Sequence, residues 1–363
     1  MRFRALVRVC RASRREECAR YATRGGACRG GDFGTMESSP GTRRPSMSYP
    51  FDPEIAAAVP MLPEVDLADV AAARAGMAEL IASMQGEFDE TGVRTREDSV
   101  PGPEGAPDVP VRVYTPDRVA TNALVFDIHG GGFALGDLEV DHAANVGLAR
   151  DLGVVIVSVE YRLAPENPYP AGLEDCYAAL EWSVKHANEL GIDPEKTVLY
   201  GVSAGGGLAA ALALLARDRG GPAIAFQFLA VPELDDRLET GSMRRFADTP
   251  IWHRGAAEAS WDYYLGGPGK RGGSDVPVYA APARAADLSG LPPAYVSVME
   301  FDPLRDEGIA YAQSLLAAGV PTELHLFPGT FHGSGVLQHA TVSRREAAER
   351  RAVLARVLGV EGS

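Results

Sequence analysis

Five short stretches carry residues whose types and spacing suit nucleophilic attack on a carbonyl carbon. They are "HGGGF" (129–133), "YRLAPE" (161–166), "GVSAGG" (201–206), "EFDPLRDE" (300–307) and "GTFHGSG" (329–335). Ser203 stands between Gly201 and Gly205, after the apolar run "TVLYGVS" and before an alanine-rich segment. A strand-to-helix turn this sharp strains its central residue, so the positions two before and two after it must lack side chains. The turn would lift the serine oxygen clear of a sheet and set it at the head of the next helix. There the Ala204 N–H and the helix dipole face any developing oxyanion.

A serine hydroxyl is a poor nucleophile at neutral pH and needs an imidazole base oriented by a carboxylate. In the sheet-based arrangement the chain order is Ser, acid, His. His332 is the histidine beyond Ser203 that falls in a glycine-rich loop behind a strand. His325 reads as lying inside a strand, His339 in the last helix, and His253 precedes the candidate acids. Among those acids, Asp302 follows the strand "AYVSVME" and precedes Pro303. Glu300 is still in the strand, and Asp306 and Glu307 sit a turn into a helix, where the dipole accounts for acidic residues. The three glycines of "HGGGF" let the backbone come close and aim two N–H groups, those of Gly131 and Gly132, at one oxygen. His129 reads as a side chain that fixes this loop. Tyr161, Arg162 and Glu166 read as bracing theirs.

The elements that must position these groups alternate. Strands are expected near 93–100, 109–114, 123–129, 154–160, 197–203, 223–231, 294–300 and 322–327. Helices are expected at 138–151, 172–189, 204–218, 303–318 and from about 335, after alanine-rich stretches at 51–86 broken by prolines 53, 60 and 63. Short, continuously apolar strands alternating with helices predict a mostly parallel sheet buried on both faces, with an antiparallel edge from the starting hairpin. In such sheets the site lies beyond the carboxyl ends of the strands. The five stretches fall there.

Composition narrows the partners. The chain has 363 residues and a net charge of −14. Residues 1–48 hold eleven arginines and four acids, so the remainder is more acidic still and has no basic stripe for nucleic acid. No apolar run approaches the length of a membrane helix. The segment 1–48 lacks sustained periodicity and reads as a disordered extension or a mis-assigned start, with residues 49–363 as the globular part. Three of the four cysteines lie in that segment without metal-ligand spacing, leaving Cys176, which suits a reducing cytoplasm.

Taken together, the five stretches resemble those of the hormone-sensitive-lipase-like, or bacterial esterase, branch of the α/β-hydrolases, in the same order and over about residues 50–360. The resemblance implies an eight-stranded α/β-hydrolase fold that hydrolyses short- to medium-chain carboxylic esters through an acyl-enzyme, with no cofactor and no metal. It implies Ser203, Asp302 and His332 as the triad and Gly131, Gly132 and Ala204 as the oxyanion hole. It also implies a helical cap from about 50–90 and 232–267, whose aromatics (Phe246, Trp252, Trp261, Tyr263, Tyr264) are expected to form lid core, and it allows a homodimer. One position departs: the family's usual residue before the nucleophile is Asp or Thr, and here it is Val202. The same triad would serve an amidase or a lactonase, and the fold also has non-catalytic binding members. Gly205, Gly207, Ala210 and Glu233 satisfy a loose dinucleotide fingerprint, a reading that leaves "HGGGF", Asp302 and His332 unexplained.

Overall fold

A computed structural model describes residues 49–62, 66–85 and 88–360. The expected extension at 1–48 and Pro63 lie outside the described residues. The alanine-rich start forms α1 (Pro53–Ala56), a single 3-10 turn at Val59–Met61 and α2 (Val70–Gln85). Then come β1 (Val93–Val100), β2 (Val109–Pro116), β3 (Leu124–Ile128), α3 (His142–Leu152), β4 (Val155–Val159), α4 (Ala171–Lys185) and α5 (Ala187–Leu190). They are followed by β5 (Thr197–Val202), α6 (Ala204–Arg219), β6 (Phe226–Ala230), α7 (Gly241–Arg245) and α8 (Arg254–Tyr264). The last elements are β7 (Ala294–Met299), α9 (Arg305–Ala317), β8 (Thr322–Phe327) and α10 (Thr341–Leu358).

The eight strands form one sheet in the order β1-β2-β4-β3-β5-β6-β7-β8. The pairs β1–β2 and β2–β4 are antiparallel and the others parallel, as the hairpin followed by strand–helix alternation requires. Strands β3 to β7 are buried along almost their whole length. Their apolar runs therefore face helices on both sides rather than alternating with solvent. The central helix α6 is alanine-rich because it lies against β5 and β6, and every residue from Ala204 to Ala216 is buried. Small side chains let its axis approach the sheet closely.

The helix expected at 172–189 is split at His186, and two boundaries differ from the sequence reading by more than three residues. The last helix begins at Thr341, not near 335; Ser334–Val336 is a 3-10 turn, and His339 lies in the turn that follows it. Gly333 has φ +79°, and Ser343 Oγ donates to the Ser334 carbonyl 3.0 Å away. These features hold the segment as a loop. The first turn of α10 is met by a remote group, since the Thr341 N–H donates to the Glu54 carboxylate. The other boundary is at α3, which begins at His142, with turns in the four residues before it.

Candidate active site

Ser203 occupies the turn between β5 and α6 with φ 58° and ψ −123°, a conformation that costs an L-residue energy. Gly205 shows why the flanking positions are bare. A Cβ there would lie 2.0 Å from the Ile128 carbonyl oxygen and 2.5 Å from that of His129. The head of α6 thus sits directly on the end of β3. The elbow is fixed by the backbone: the Ser203 N–H donates to the Ala230 carbonyl at 2.9 Å, and its own carbonyl accepts from Gly207 and Glu233.

The three residues expected to work together are brought together. Ser203 Oγ is 2.9 Å from His332 Nε2, and His332 Nδ1 is 2.7 Å from Asp302 Oδ2. The other oxygen of Asp302 accepts the Leu304 N–H at 2.8 Å. All three side chains are buried. Asp302 can therefore accept the Nδ1 proton, which leaves Nε2 as the lone-pair nitrogen facing the serine.

The expected oxyanion groups lie on the elbow and on the loop packed against it. Gly131 and Gly132 have φ +124° and +57°, backbone that side-chain-bearing residues rarely adopt. Among the described residues, neither N–H bonds a backbone carbonyl. The preceding Gly130 abuts the elbow, since a Cβ on it would be 3.3 Å from Ser203 Cβ. Ala204 opens α6, so its N–H is one of the first-turn donors left without an intrahelical partner. Two loop donors and the first donor of α6 thus stand in the fold close to buried Ser203, and burial strengthens such donors.

The remaining sequence-marked side chains hold loops. His129 Nδ1 bonds the Gly130 carbonyl at 2.8 Å, and its ring stacks on Tyr161 at 4.3 Å. Burial pushes its imidazole down to about 4, so it is neutral and a weak proton acceptor. Tyr161 donates to the His129 carbonyl, and Arg162 makes a two-pronged ion pair with buried Asp175 at 2.8 Å. Arg74 on α2 bonds Glu166 through two nitrogens and also the carbonyls of Ala134 and Ala164. This one guanidinium fastens the N-terminal segment to both loops.

Sequence reasoning missed two contributors. Trp252 does more than fill the lid core: its ring lies 5.8 Å from that of His332, and Trp252 Cη2 would be 2.5 Å from a Cβ on Gly132. It forms a wall beside Gly132 and His332. Val59, Leu62, Ile251 and Ala256 help line a cavity of about 800 Å³ between the N-terminal segment and residues 247–259. The second contributor is Glu233, fully buried beside the oxyanion loop and bonded to Ser260 on α8. This excludes its role as a ribose ligand in the dinucleotide fingerprint. Gly207, another member of that pattern, is a packing glycine whose Cβ would meet the Glu233 carbonyl at 2.0 Å. The other expected lid aromatics do pack as core: Phe246, Trp261 and Tyr264 are buried, and Tyr263 donates to the Leu67 carbonyl.

A further cavity of about 450 Å³ opens beside His332 and is lined near it by Val202, Val231, Met299 and Gly333. Among the described residues no cluster of His, Cys, Asp and Glu could hold a metal ion, and no helix is long and apolar enough to cross a membrane.

Known proteins are similar to this chain over most of its length. Residues 125–335 match the family described by the alpha/beta hydrolase fold. Carboxylesterase NlhH of Mycobacterium tuberculosis is 44% identical over 238 residues, covering 65% of this chain and 74% of that protein. The arylesterase of Saccharolobus solfataricus is 38% identical over 232 residues, covering 62% and 72%. A solved structure titled bacterial heroin esterase has 54% identity and a TM-score of 0.83, covering 85% of this chain and 98% of that one.

Proposed function

The chain belongs to the hormone-sensitive-lipase-like branch of the α/β-hydrolases and is a carboxylic ester hydrolase, and from that premise we propose that Ser203, His332 and Asp302 perform the hydrolysis through an acyl-enzyme. The observation that carries this reading is the buried Ser203–His332–Asp302 chain, with contacts of 2.9 and 2.7 Å, at the head of α6. His332 Nε2 takes the Oγ proton as Ser203 attacks the ester carbonyl. The N–H groups of Gly131, Gly132 and Ala204 hold the tetrahedral oxyanion. His332 then protonates the departing alcohol, and the acyl group stays on Ser203. Water then attacks the acyl carbonyl as it loses a proton to the same nitrogen, the bond from the acyl carbon to Ser203 Oγ breaks, and Oγ takes that proton back as the acid leaves. Asp302 remains ionised throughout, fixing the tautomer and stabilising the imidazolium.

Short- to medium-chain acyl groups suit the apolar stretch of Val202, Val231 and Met299 in the wall of the cavity beside His332, which Asp141, Glu346, Arg350 and Arg351 also line. Val202, where the family's usual Asp would stand, contributes to that apolar wall. We read residues 49–363 as the hydrolase domain, with a cap from about 50–90 and 232–267. A cytoplasmic homodimer completes the proposal. It is supported by Cys176, a buried free thiol, and by Leu324 and Leu326, exposed on the edge strand β8.

The test is hydrolysis of nitrophenyl esters from acetyl to palmitoyl, wild type beside Ser203→Ala. Loss of several orders of magnitude in kcat with an unchanged fold is expected. Near-full activity in the variant would refute the assignment. A folded wild type that leaves every ester intact would point to amides or lactones instead.

A further inference from the structure

Ser260 Oγ, on cap helix α8, lies 3.0 Å from the Gly132 carbonyl oxygen and 3.0 Å from Glu233 Oε1. A hydroxyl has one proton to give, and a peptide carbonyl can only accept. If Glu233 were a carboxylate, two acceptors would compete for that single proton, and a buried charge would stand beside an unfilled oxygen. Glu233 Oε2 has no hydrogen-bond partner among the described residues, and the side chain is 0% exposed. A neutral acid removes both conflicts: it donates to Ser260, and Ser260 donates to Gly132.

Resting on the hydrolase reading above, we propose that Glu233 works as a neutral carboxylic acid, a positioning residue that sets the oxyanion loop through Ser260. The relay joins three parts of the molecule. Glu233 follows β6, and its N–H donates to the Ser203 carbonyl at 3.1 Å. Ser260 belongs to the cap, and Gly132 carries one of the oxyanion donors. Fixing the Gly132 carbonyl fixes that residue in its φ +57° conformation, which aims its N–H.

The surroundings favour the neutral form. Burial pushes the Glu233 carboxyl up to about 8, Asp302 at the end of β7 adds to the rise, and the Ser260 contact opposes it. The other titratable groups facing it are Glu307 on α9, Tyr161 after β4 and Tyr264 on α8, acids whose own ionisation a charge on Glu233 would oppose and none of them a cation that could hold a carboxylate. On ionisation the carboxylate would become an acceptor only, take the Ser260 proton, and leave the Gly132 carbonyl without its donor.

The experiment measures kcat and KM for nitrophenyl acetate from about pH 6 to 10 in wild type, E233Q and S260A, with an infrared spectrum of each at neutral pH. Wild type should lose kcat on the alkaline side, with a midpoint near the Glu233 ionisation. E233Q, whose amide still donates, should keep most of the neutral-pH rate and lack that limb. S260A should lower kcat about tenfold, with less change in KM. The wild-type infrared spectrum should contain the carbonyl band of a buried protonated carboxyl that is missing from E233Q. An alkaline limb preserved in E233Q, an S260A enzyme with wild-type kcat, or no protonated-carboxyl band would each overturn the proposal. If E233Q does not fold, S260A and the wild-type spectrum still decide. Failure of the relay would leave neutral-pH ester hydrolysis dependent on Ser203, whereas failure of the hydrolase reading would abolish that dependence.

Discussion

Gly205→Ala should disable the active site while leaving the sheet paired. The added methyl would lie 2.0 Å from the Ile128 oxygen and 2.5 Å from the His129 oxygen, both well inside the 3.4 Å at which ordinary contact begins. Both obstacles are backbone. Ile128 is held in the sheet, opposite Gly201 in the β3–β5 register, so neither can rotate aside. The head of α6 must move outward, carrying Ser203 and Ala204 away from Gly131 and Gly132. A displacement of about 1 Å in a reacting geometry costs on the order of 100-fold in rate, and loss of one oxyanion donor costs about 100- to 1,000-fold. The expected kcat is therefore lower by roughly 100- to 1,000-fold. Overpacking typically costs about 1–3 kcal/mol, which leaves a typical domain folded. Steady-state kinetics on nitrophenyl acetate, with thermal unfolding followed by circular dichroism, measures both effects. Gly147→Ala on α3 is the control: nothing lies within 4 Å of its added Cβ, so it should retain activity and gain about 0.5–1 kcal/mol of stability. A Gly205→Ala enzyme with kcat within a few-fold of wild type would refute the close-approach reasoning.

Asp302→Asn keeps the shape of the contact to His332 Nδ1 but can present an N–H to it, favouring the wrong tautomer; kcat should fall by about 1,000- to 10,000-fold with little change in fold. A loss below tenfold would remove Asp302 from the triad. Trp252→Ala should open the space over Gly132 toward the cavity of about 800 Å³ and shift preference toward bulkier esters, measured as the ratio of kcat/KM for octanoyl and acetyl substrates; an unchanged ratio would argue against a wall at Trp252. His129 stays neutral in the fold down to about 4 but titrates near 6.5 in the unfolded chain, so as pH falls through that window only the unfolded state gains the proton. His129→Asn should therefore flatten the acid-side loss of stability by up to about 3 kcal/mol, read from urea midpoints between about pH 4 and 7. An equally steep loss in the variant would mean that other groups drive it.

Much of this protein is written locally in the chain. Strands β3 to β7 show as short apolar runs because helices bury them on both faces. The reactive residues show because a parallel sheet gathers the loops that follow its strands. Gly201, Ser203 and Gly205 mark the elbow, since backbone packed on backbone excludes a Cβ there. Other features have no local signal. The start of α10 moves to Thr341 because Glu54, far away in sequence, meets its first N–H. Trp252 reads as lid filler until the cap is docked and lays its ring over Gly132. Glu233 resembles a loose nucleotide motif until Ser260 arrives. The sequence thus determines which groups can react and roughly which element carries each, because apolar period and glycine placement are local properties. Tertiary structure alone decides how those groups are aimed and which carboxyls keep their protons, because both depend on contacts such as Ser260 with Gly132, 128 residues apart.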